Sequence, residues 1–96
     1  MPDKVSFLKA RYCRAVLKTA LNSEVDDARR LIYGLATEPP TASTSPSIRS
    51  AESSALQELA TLARRVDERG IAALSTHWQE TNDAIERWIA ISYQDE

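Results

Sequence analysis

The chain has 96 residues and a mass of 10.7 kDa, is 43% hydrophobic, 27% charged and 6% aromatic, and carries a net charge of −2. That suits one small domain; two glycines amid abundant Ala, Leu, Glu and Arg favour helices, and the charge excludes a polybasic nucleic-acid binder. The single cysteine, Cys13, excludes an internal disulfide or a multi-cysteine metal site, and no apolar run exceeds four residues, against about 20 needed to cross a bilayer.

A cytoplasmic protein with no membrane segment is therefore expected. Residues 1–36 carry seven Lys/Arg against four Asp/Glu, whereas residues 37–96 carry five against ten. Such halves attract each other, within one chain or between two in antiparallel association.

Pro2 and Asp3 suit the start of a helix that runs to about Leu21. Val5, Leu8, Tyr12, Ala15 and Val16 share one face at helical spacing and are expected to point inward. Phe7, Ala10, Leu17 and Leu21 form a second apolar flank, so this helix is expected at the centre of a bundle. Lys4, Phe7, Arg11, Arg14 and Lys18 advance by threes and fours along the remaining arc. This basic stripe is the candidate partner-binding feature. It suits a solvated face paired with the acidic half, an acidic protein partner, or phosphates.

Asn22 suits a left-handed helix end and Ser23 a fresh cap, with a second helix from Glu24 to about Leu35. Val25, Ala28, Leu31, Ile32 and Leu35 would face inward, and Pro39 and Pro40 forbid continuation. A helix-turn-helix reading fails because Glu24, Asp26 and Asp27 would open the reading helix against phosphates. Residues 1–36 thus form a helical hairpin. Residues 37–47, with three Pro, six Ser/Thr and no large apolar residue, are expected to be a flexible connector.

A third helical segment starts near Ser45–Pro46, with Ala55, Leu56, Leu59, Leu62, Ala63 and Val66 as its apolar stripe. Gly70 admits two readings. It could cap this helix and begin a fourth, or the segment could run unbroken through residue 93 as a helix of about 70 Å. The apolar seam advances past Gly70 without a gap, and no strong cap follows it. A long or kinked helix over residues 48–96 is the expectation, and with it a homodimer to cover its seam. Trp78, Ile85 and Trp88 are its anchors, in the core or in that interface. Tyr93 marks the point where the helix is expected to fray toward Asp95 and Glu96.

Chemistry-bearing patterns are sparse. His77 and Glu80 form an i, i+3 pair, two ligands at most, with no matching second pair. Cys13 beside Arg14 reads as a small buried hydrophobe more readily than as a reactive thiolate. No glycine-rich phosphate loop exists, and no catalytic residue, metal or cofactor is expected. The sequence therefore describes an all-α bundle of three to four helices with a non-catalytic, protein-binding role: an adaptor, chaperone, antitoxin or inhibitor. The alternative is a nucleic-acid-associated regulator using the basic stripe.

Overall fold

A computed structural model describes residues 4–41 and 45–94. The helix start at Pro2–Asp3, the middle of the connector at residues 42–44 and the acidic end Asp95–Glu96 lie outside the described residues. Four helices follow in order: α1 (Lys4–Leu21), α2 (Val25–Ala36), α3 (Pro46–Arg69) and α4 (Ile71–Gln94). No strand occurs among the described residues. No helix is long and apolar enough to cross a membrane among them.

Each helix packs against its chain neighbours, and α4 returns to close against α1. Side-chain pairs show that neighbours run antiparallel: Arg29 with Asp67 joins the start of α2 to the end of α3, Arg65 with Glu80 joins the last part of α3 to the first half of α4, and Phe7 with Tyr93 joins the start of α1 to the end of α4. This is the up-down-up-down arrangement of a four-helix bundle. Its core is built from Leu17, Ile32, Leu59, Leu62, Leu74, Ile85 and Trp88, none more than 1% exposed. The apolar stripes expected on the third and fourth segments face this core.

Local chemistry explains the element ends. Ser45 accepts a hydrogen bond from the Ile48 amide, and Pro46 fits the first turn of α3. At the α1–α2 turn the side chains act differently from expectation. Asn22 keeps a negative φ, and its amide donates to the Lys18 carbonyl at 3.0 Å. The Ser23 hydroxyl donates back to the Thr19 carbonyl at 2.7 Å, so it closes α1 instead of capping α2. Asp26 and Asp27, in the first turn of α2, supply negative charge at its positive end.

Gly70 decides the C-terminal half. It adopts φ 83° and ψ −169°, a region open to glycine and strained for other residues. Its amide donates to the Val66 carbonyl at 2.8 Å, and its own carbonyl accepts from the Ala73 amide at 3.1 Å. The chain reverses there, and the molecule measures 41 × 20 × 19 Å. A continuous helix over this half would be about 70 Å long, so that expectation is corrected. The apolar seam runs unbroken past Gly70 because α3 and α4 bury it against each other. The reason for a second chain disappears with it.

The first helix also faces the other way. Its buried side is Ser6, Ala10, Cys13, Leu17 and Ala20, so Ala10 and Leu17 of the second flank are inside, while Val5, Leu8, Tyr12 and Ala15 of the face expected to point inward are exposed and Val16 is half-buried against the core. The side chains on this buried side are small apart from Leu17, and fully buried Trp88 of α4 packs into the same core. The Trp88 indole N–H donates to the Ser6 hydroxyl at 2.7 Å, fixing which side of α1 is inside.

Candidate functional site

The turned-out face of α1 carries three of the six exposed large hydrophobic residues among the described residues. Val5 is 68% exposed, Leu8 60% and Tyr12 56%, and Ala15 and Thr19 continue the row as exposed positions. Lys4, Arg11 and Lys18 run beside this row, each exposed. An apolar strip with a cationic margin results, along a helix that contains no carboxylate.

The basic stripe itself divides. The Arg14 guanidinium donates to both carboxylate oxygens of Glu86, at 3.2 and 3.4 Å, and is committed to the bundle. Arg11 lies over the Phe7 ring, 5.6 Å from its centroid, and Phe7 in turn packs on Tyr93 with centroids 5.8 Å apart. Lys4 and Lys18 form no ion pair among the described residues. So Lys4, Arg11 and Lys18 remain available at the surface, and Phe7 and Arg14 serve the α1–α4 contact. No protein-family model, curated protein or solved structure matches this chain.

The other anchors separate by depth. Ile85 and Trp88 are fully buried, while Trp78 is half-buried at the edge of the core. All three belong to the packing within one chain.

A buried polar node was not anticipated. Glu52 is 1% exposed on the inner face of α3, and its carboxylate accepts from the Thr41 amide at 2.8 Å and the Thr41 hydroxyl at 2.6 Å. The Lys9 ammonium lies 3.4 Å from the same carboxylate and also donates to the Pro39 carbonyl. This node ties Pro39 and Thr41 of the connector to α1 and α3. Beside it lies a groove of about 390 Å³ lined by Pro40, Thr41, Arg49, Glu52, Leu56 and Ala60, among others. The Glu52 carboxylate is already occupied by its partners, so the groove offers mainly apolar wall. The sequence signal was present: Glu52 falls on the apolar stripe, four residues after Ile48 and three before Ala55.

The metal and thiol candidates gain no support from their surroundings. His77 Nδ1 is 3.7 Å from Glu80, beyond hydrogen-bond distance, and Glu80 also meets Arg65 at 3.4 Å. Among the described residues no group of three or more His, Cys, Asp or Glu could hold a metal ion. Burial pushes the Cys13 thiol up to about 11, against a modest opposing pull from Lys9 and with a further rise from Glu38 and Glu52. The cation that bears on it is Lys9, while Arg14 pairs elsewhere.

Proposed function

We propose that the protein is a non-catalytic helical module that binds a partner protein through the outer face of α1. One observation carries this reading: Val5, Leu8 and Tyr12 stand exposed in a row on a bundle whose core closes without them. Scattered apolar residues on a surface are ordinary, but a contiguous row along one helix is the usual mark of a docking face. Tyr12 also suits this role, since a rigid aromatic with a polar tip makes an effective interface anchor.

The test compares the intact chain with a Leu8→Asp, Tyr12→Ser variant as bait in nuclease-treated native-host lysate. A near-stoichiometric protein retained by the first and lost by the second is expected, with the two baits melting alike by circular dichroism. Equal capture by both baits would overturn the reading. A partner that disappears on nuclease treatment would instead favour nucleic acid bound along Lys4, Arg11 and Lys18.

A further inference from the structure

The margin of the apolar row specifies what should lie against it. Val5, Tyr12 and Thr19 recur every seven residues, with Leu8 and Ala15 three residues after the first two. These are the a and d positions of a heptad seam on the exposed side of α1. In that register Lys4, Arg11 and Lys18 all occupy g, the flanking position that selects a partner by charge. The opposite flank holds Lys9, engaged by Glu52, and half-buried Val16.

The α1 helix of a second copy of this chain makes a poor occupant. In an antiparallel pair of α1 helices the g positions face each other, which sets Lys4 beside Lys18 and Arg11 beside Arg11. In a parallel pair they face Lys9 and Val16. Neither orientation supplies a carboxylate, because α1 has none. An anionic bilayer is also disfavoured, since exposed Glu24, Asp26 and Asp27 follow directly after the Lys18 end of the seam.

We infer that the occupant is an amphipathic helix of a different protein, apolar at its own a and d positions and carrying Asp or Glu at the positions facing Lys4, Arg11 and Lys18. This rests on the docking reading above and adds the chemistry of the partner. Exposed ion pairs contribute modestly one by one, so selectivity comes from three acting along one seam.

The test titrates the full chain with two synthetic three-heptad peptides, both Leu at a and d, one with Glu and one with Lys at e and g. Binding is read by anisotropy of a peptide label. The Glu peptide should bind about tenfold more tightly than the Lys peptide, and the preference should shrink as salt is raised. Arg11→Glu with Lys18→Glu should reverse the preference, and Leu8→Asp should abolish binding of both. Equal binding of the two peptides, lost in Leu8→Asp, would overturn the acidic partner and leave the docking face standing. Binding of neither peptide would overturn both readings. So would recruitment to phosphatidylserine vesicles without peptide binding. Concentration-dependent dimerisation that Leu8→Asp removes would replace the foreign helix with a second copy.

Discussion

Cys13 shows how placement decides reactivity. With its thiol near 11 in the folded protein, against 9.0 as the reference, the thiolate is scarce at neutral pH. Between those two values the unfolded chain releases the proton while the folded chain keeps it. The thiol's contribution to stability is therefore intact below pH 9 and is lost as pH rises through about 11. Urea denaturation of the intact chain and of Cys13→Ala should give a constant stability difference below pH 9, shifting against the intact chain above it. A thiol reagent should modify Cys13 slowly until the protein unfolds. Glu52 is the second residue with a sharp expectation. Removing it in Glu52→Ala takes the carboxylate from Lys9 and strands the Thr41 donors, and should cost about 3 kcal/mol by denaturant titration. Thr41→Val, which deletes one of the Thr41 bonds, should cost about 1 kcal/mol. Glu52 was visible in the sequence as a charge on an apolar stripe. Its partner Lys9, 43 residues away, follows no local pattern that could have named it.

At the scale of the element, the two glycines should respond to alanine in opposite directions. Neither added methyl would meet an atom within 4 Å, so only the backbone decides. Gly34 is helical and exposed, and Gly34→Ala should stabilise by about 0.5–1 kcal/mol. Gly70 has φ 83°, and Gly70→Ala should destabilise by about 1–3 kcal/mol. Thermal melts of the pair would check both signs. The helices themselves were largely legible: the second begins and ends within a residue of its expected span, and the third starts at Pro46. Two choices were not. A helix apolar over more than half its circumference does not say which side is buried, and Trp88 settled that for α1 from 82 residues away through Ser6. Likewise an unbroken seam through Gly70 is compatible with a straight helix or with two helices facing each other. The competing term was the rest of the bundle, which rewards the reversal.

Across the whole molecule, charge follows the division first seen in composition. Lys9 with Glu52, Arg14 with Glu86 and Arg29 with Asp67 all join the first 36 residues to the remainder. The Arg14 and Arg29 pairs are partly exposed and contribute at most about 1 kcal/mol each, so apolar packing holds the bundle. The division between a closed core and a spare face makes a direct prediction for stability. Leu8→Asp, on the spare face, should change unfolding free energy by no more than about 0.5 kcal/mol, whereas Trp88→Ala should cost about 3–5 kcal/mol. A large loss from Leu8→Asp would mean that the outer face of α1 supports the fold after all.

The joint at Gly70 has a consequence for how copies of the chain can entangle. Only this residue separates α3 from α4, and their mutual contacts need opposed helices, whichever chain supplies each one. Straightening the joint would let two molecules trade their last helices, each α4 closing the other's bundle around the same buried side chains. Such an exchange restores every core contact and relieves the strain that alanine would introduce. Gly70→Ala at high concentration should therefore yield a reciprocal dimer, resolved from monomer by light scattering and reverting slowly on dilution.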